Sequence, residues 1–161
     1  MFVYYFAHIP QAFGQLAGPF EQHPDLWLPR CVSEACEEVG SPTSGRRLGA
    51  GATSASAGPL SRSVGSSAFP LRVESSEPGL PFSHLEADLE IAELGRTRTQ
   101  LTFRGSYRAS TPNSDPAQAA LRHRQAEAIA KGIVERVAAR LTAGPGTAAG
   151  AEGEPATQEP L

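Results

Sequence analysis

Two alternating segments and one long helical pattern, all within residues 85–142, constrain the fold more than anything else in the chain. In Leu85–Leu94, Leu85, Ala87, Leu89 and Ile91 share one parity, and Glu86, Asp88 and Glu90 share the other. In Thr99–Arg108, Leu101, Phe103, Gly105 and Tyr107 alternate with Gln100, Thr102, Arg104, Ser106 and Arg108. A period of two means a strand with one apolar and one polar face. Odd-numbered residues must oppose odd-numbered ones if both apolar rows are to face the same side, so the connecting loop has an odd length. A three-residue loop, Gly95-Arg96-Thr97, pairs Leu89 with Phe103 and Asp88 with Arg104, with Gly95 suited to a positive φ.

Asp115-Pro116 then announces a helix: a side-chain acceptor at the N-cap and a proline at the first position, where a missing N–H costs nothing. Leu121, Ala126, Ile129, Ala130, Ile133, Val134, Val137 and Leu141 form its apolar stripe. Glu127 and Lys131 have the favourable i, i+4 order on its polar side. Gly132 lies within the stripe, where it costs about 1 kcal/mol relative to alanine, so either close approach to the sheet or room left above it is expected there. Residues 116–142 span about 40 Å as a helix, against about 33 Å for ten-residue strands. The helix is therefore expected to cross the whole concave face of the sheet.

Upstream, Phe2–Ile9 reads as a strand with apolar residues on both parities: Val3, Tyr5, Ala7 and Ile9 on one, Phe2, Tyr4 and Phe6 on the other. Such a strand is expected to be covered on both faces or to meet a partner. A short helix containing Phe13, Leu16, Ala17 and Phe20 is expected to end at Gly18-Pro19, and a turn with a short helical segment holds Trp27. A further short helix is expected over residues 30–39, capped by Gly40. Residues 41–67 are rich in Gly, Ser and Ala and read either as a linker or as two weak edge strands, around Leu48–Ala57 and Ser61–Ser66. Phe69, Leu71 and Val73 mark a half-buried strand, with Pro70 at its start or at a sheet edge. Residues 143–161 are acidic and low in complexity and are expected to be a disordered tail.

Composition narrows the function classes. The 161 residues fit one domain, and 40% are apolar. The net charge of −3, with Lys131 the only lysine, argues against nucleic acid. No apolar run approaches a membrane span. Met1–Ile9 lacks the basic start and cleavage site of a signal peptide. Cys31 and Cys36, the only cysteines, lie about 140° apart if both sit on one helix. That suits neither a disulfide nor a shared metal, and two free thiols fit a cytoplasmic protein. With four scattered histidines, no metal site is expected. No phosphate-binding loop, dinucleotide fingerprint or nucleophile elbow occurs, and no cofactor is expected.

The phrases WLP at Trp27–Pro29, FPLRVE at Phe69–Glu74, the hairpin Leu85–Arg108 and HRQAEAIAKGIVERVA at His123–Ala138 resemble bacterial members of the START-like, or SRPBCC, superfamily. The resemblance covers residues 1–142. It implies an α+β domain in which a curved antiparallel sheet of about six or seven strands grips one long C-terminal helix, with short helices after the first strand. It also favours strands within 41–67. Members bind lipids, sterols or aromatic polyketides in a cavity between sheet and helix, and a few catalyse cyclisation or dehydration. No catalytic set is shared across the superfamily, so none is carried over.

The inward rows nominate the lining of such a cavity: Tyr5, Trp27, Phe69, Leu71, Leu89, Leu101, Phe103 and Tyr107, facing Ile129 and Ile133. The first expectation is binding of a small apolar molecule by a monomer or weak homodimer. The second is a cyclase or dehydratase in which a pocket Tyr or His moves a proton. His8, His84 and His123 are the candidate acid–base groups, although His123 sits where the helix dipole and Arg122 and Arg124 oppose an imidazolium. The third is a protein-interaction module using the aromatic first strand or the weak edge, with the pocket filled by side chains.

Overall fold

The computed structural model describes residues 1–40, 53–111 and 115–144. Its elements run β1 (Phe2–Ile9), α1 (Phe13–Glu21), α2 (Pro24–Gly40), β2 (Thr53–Ala57), β3 (Ser61–Ser63), β4 (Ser66–Ser75), β5 (Phe82–Glu93), β6 (Thr99–Ala109) and α3 (Pro116–Ala143). The six strands form one curved antiparallel sheet in the order β1-β6-β5-β4-β2, with β3 also paired to β4. The three helices lie on its concave side.

The hairpin β5–β6 has the register that parity dictates: Leu89 opposes Phe103 and Asp88 opposes Arg104. The N–H of Leu94 donates to the Arg98 carbonyl at 2.9 Å, which leaves Gly95-Arg96-Thr97 as the loop, and Gly95 takes φ +82°. On the outer face Arg72 pairs with Glu86 at 2.9 Å, between β4 and β5. Asp115 caps α3 by accepting from the Ala117 N–H at 2.9 Å.

Pro70 occupies a gap in the sheet edge. β2 pairs with β4 as far as Leu71, and β3 resumes at Ala68. The Pro70 carbonyl accepts from the Gly58 N–H at 2.7 Å. The proline's missing donor faces the corner where no ladder runs. Gly58 is obligatory there, because a Cβ would collide with the Pro70 ring. The two edge strands of the 41–67 segment are thus Thr53–Ala57 and Ser61–Ser63; residues 48–52 of the first expected strand lie outside the described residues, as does 145–161 of the tail.

Several expectations are corrected. α1 does not stop at Gly18-Pro19 but runs through Pro19 to Glu21, and the two short segments expected over 23–39 are one helix that runs through Pro29. Proline removes one helical hydrogen bond. Burial of Leu16 and Phe20 in α1, and of Trp27, Leu28, Cys31, Val32, Ala35 and Cys36 in α2, outweighs that loss. Nor does α3 cover the concave face alone. It packs on β1 and β6, while α2 packs on β2 and on α3. Gly132 accordingly admits α2 rather than the sheet: a Cβ there would lie 3.2 Å from the Ala35 Cβ. Leu121, placed in the stripe, is 58% exposed. Lys131 pairs with Glu135 at 3.8 Å, and Glu127 lies against His123 instead.

Candidate functional site

The nominated lining residues do converge. Phe69, Leu71, Leu89, Leu101, Phe103, Tyr107, Ile129, Ile133 and Trp27 belong to one buried core, and Tyr5 packs against it partly exposed. The sheet supplies them from alternate positions of β4, β5 and β6, and α3 supplies Ile129 and Ile133 one turn apart. At the end formed by α1 and α2, Phe69 stacks on Phe20 with ring centroids 4.9 Å apart, and Trp27 meets Phe69 edge-on at 6.1 Å. The Trp27 indole donates to the Gln22 carbonyl at 3.1 Å, and the Arg140 guanidinium lies 5.1 Å above its ring. This ring therefore locks α1, α2 and α3 together.

The interior is filled by these side chains. A residue lining a void wide enough for water retains accessible surface, yet Leu89, Leu101, Phe103, Ile129 and Ile133 are 0% exposed. In this conformation they touch one another, not a cavity. The large concavity found, about 690 Å³, lies on the opposite face of the sheet, over Pro70, Arg72, Glu86, Asp88 and Arg104.

At the other end of the core, polar groups meet in a chain. The Tyr107 hydroxyl lies 3.2 Å from His123 Nδ1, their rings stack at 6.2 Å, and His123 Nε2 lies 3.5 Å from a Glu127 carboxylate oxygen. The Tyr107 hydroxyl also donates to the Met1 sulfur at 2.8 Å. Burial, followed by the nearby Glu127 charge, pushes the Tyr107 phenol above its ordinary value, so it stays protonated at neutral pH. In the tautomer with Nε2–H directed at Glu127, His123 Nδ1 is an alternative acceptor to the Met1 sulfur for the single phenol hydrogen. The arrangement presents a phenol and an imidazole at the margin of an apolar interior. Tyr107 and His123 were each visible as candidates; their pairing was legible in principle, since a short connection folds the start of α3 back over the end of β6.

The other candidates separate from this site. His8 is exposed on the outer side of β1, 5.5 Å from the Phe6 ring. His84 lies between Glu86 at 3.2 Å and Glu74 at 3.8 Å on the outer face. Cys31 and Cys36 are both free and buried, and burial pushes the Cys36 thiol to about 12, so it is no nucleophile. Among the described residues no three His, Cys, Asp or Glu side chains gather to hold a metal ion. No described helix is long and apolar enough to cross a membrane.

No protein-family model matches the chain, and no curated protein matches its sequence. Among solved structures, TTHA0849 from Thermus thermophilus is similar over 90% of this chain and 99% of its own, with 16% identity and a TM-score of 0.52. The chain has a helix-grip fold, a curved antiparallel sheet held against a long C-terminal helix. Ara h 8.0201 is similar at a TM-score of 0.48, 8% identity and coverage of 89% and 98%. The Zhui aromatase/cyclase from a Streptomyces species is similar at 0.38, 12% identity and coverage of 91% and 99%. These likenesses concern the path of the chain. What a helix grip holds has to be argued from its interior.

Proposed function

We propose that this helix grip binds a small apolar molecule, of lipid, sterol or aromatic polyketide type, between the sheet and α3. The observation that supports it most is the convergence of the apolar rows of β4, β5 and β6 on Ile129 and Ile133, ending at the Tyr107–His123 pair. Ligand sites of this kind are mostly apolar with a few polar groups that fix orientation. Leu71, Leu89, Leu101 and Phe103 would contact the ligand body, Phe69 and Trp27 would bound it at one end, and the Tyr107 hydroxyl would meet an oxygen at the other. Tyr5, partly exposed beside α3, marks the way in.

A filled interior sets the mode of binding. The grip must open by parting α3 from β1, so affinity is reduced by the small fraction of open protein, and binding is slow. Native mass spectrometry of the purified protein tests the reading, supported by thermal melts with a panel of lipids and aromatics. The expected result is a co-purified apolar molecule, or a melting temperature raised by one class. A clean apo mass with no shift across the panel would sink it.

A further inference from the structure

The strand β1 carries a feature that ligand binding does not use. β1 is a terminal strand of the sheet, with no described strand on its outer side. Its pairing with β6 shows which backbone groups are spent. Met1 and Tyr107 exchange both hydrogen bonds, the Tyr107 N–H donating to Met1 at 2.8 Å and the Met1 amine to the Tyr107 carbonyl at 3.0 Å. The register continues without a bulge to Ile9 opposite Thr99. In an antiparallel ladder bonded pairs alternate with unbonded ones. Odd-numbered residues of β1 therefore bond to β6. The N–H and C=O groups of Phe2, Tyr4, Phe6 and His8 point to the free edge.

These same four residues are exposed on the outer face. Phe2, Tyr4 and Phe6 are 58%, 49% and 47% exposed, and Tyr4, Phe6 and His8 form a row with ring centroids 6.0 and 5.5 Å apart. The strand has no Lys, Arg, Asp, Glu or Pro, the residues that usually blunt an open edge. The outer faces of β4, β5 and β6 do carry charge, at Arg72, Glu74, Glu86, Asp88, Arg104 and Arg108. The aromatic, uncharged outer surface is confined to β1, whereas the edge at the other end of the sheet, β2 and β3, is small and polar.

We propose that β1 pairs antiparallel with β1 of a second copy, joining the two sheets across a two-fold axis at Tyr5. An extended, uncharged strand with aromatic side chains on the parity that bonds matches this edge in both backbone and side chains. The chain itself supplies such a strand, and a two-fold arrangement makes it self-complementary. With Tyr5 on the axis the full strand overlaps. Phe2 then opposes His8 of the second copy, and Tyr4 opposes its Phe6, as hydrogen-bonded pairs with all rings on one face. Aromatic pairs of this kind are favourable across strands. Each ring has about 200 Å² of surface, about half of it exposed, so three rings remove about 300 Å² per copy. Even doubled and extended by the backbone, this falls below the roughly 1,000 Å² of a lasting interface. The dimer is therefore transient and concentration-dependent.

Sedimentation velocity of the full chain over a wide concentration range tests the pairing. The expected mass rises from one chain towards two, and Tyr4→Lys with Phe6→Lys returns it to one while the circular dichroism spectrum and melt stay unchanged. A single-chain mass at every concentration overturns the proposal, and so does a dimer indifferent to the two lysines. Disulfide trapping reads the register. Tyr4→Cys mixed with Phe6→Cys should cross-link, because bonded pairs have Cα atoms about 5.5 Å apart, and neither variant should cross-link alone. Efficient linking of Tyr4→Cys to itself would contradict Tyr5 as the axis.

Discussion

Gly105 shows how much one side chain can decide. It occupies an inward position of β6 opposite Ala87. A Cβ there would lie 2.6 Å from the Ala87 Cβ and 2.6 Å from the Glu86 carbonyl oxygen. Glycine within a strand costs about 0.5–1 kcal/mol relative to alanine, but overpacking against backbone costs about 1–3 kcal/mol. The clash wins, so Gly105→Ala should lower stability by about 1–2 kcal/mol in urea unfolding. A stabilised variant would show that the sheet yields freely at this point. From sequence, Gly105 was legible as an inward residue opposite Ala87, yet its tight contact was not, because that depends on how closely β5 and β6 approach there. Gly132 repeats the lesson: its place in the stripe was readable, but its neighbour, Ala35 of α2, was not.

Between elements, α1 is clasped to the sheet by Glu21. Its carboxylate accepts from the Ser67 hydroxyl at 2.5 Å and from Arg62 at 2.6 Å. Ser67 is buried and Arg62 is exposed, so the serine bond, about 1.5–3 kcal/mol for a charged acceptor, outweighs the exposed ion pair, about 0–1 kcal/mol. The Arg62 and Ser67 hydrogen bonds hold the Glu21 carboxyl below its ordinary value. A depressed carboxyl pKa contributes stability above the unfolded value and loses it as pH falls through the folded one. Glu21→Gln should therefore cost about 1 kcal/mol at pH 7, and the gap to the parent chain should close as the pH is lowered below about 4. Urea unfolding at pH 7 and in acid reads this directly; a gap that stays constant would assign the clasp to shape rather than charge.

The elements themselves differed in how plainly they could be read. The β5–β6 hairpin was legible to the residue, because parity demands an odd loop and the Gly95-Arg96-Thr97 turn selects one register among the odd lengths. The extents of α1 and α2 were not, because Pro19 and Pro29 break the local signal and only burial against β4 and α3 restores it. The edge strands β2 and β3 are small and polar, with β3 exposed along its length, so their existence rests on pairing with β4.

For the whole molecule, the sheet, three helices and one apolar interior form a helix grip whose jaws are closed in this conformation. The ten nominated residues were readable as core because they follow strand and helix periods. Whether a core is packed or hollow is not written in those periods; it depends on how closely α2 and α3 approach the sheet, which small residues such as Ala35, Ala126 and Gly132 permit. The central claim is that the closed interior can open and admit an apolar molecule along Ile129 and Ile133. Methyl-labelled NMR during titration with the most stabilising lipid or aromatic compound tests it most directly. The account predicts that the Ile129, Ile133, Leu89 and Leu101 methyl signals shift together in slow exchange, with the signals of exposed Val64 and Leu26 unmoved. Unchanged interior methyls, alongside shifts confined to the surface, would contradict it.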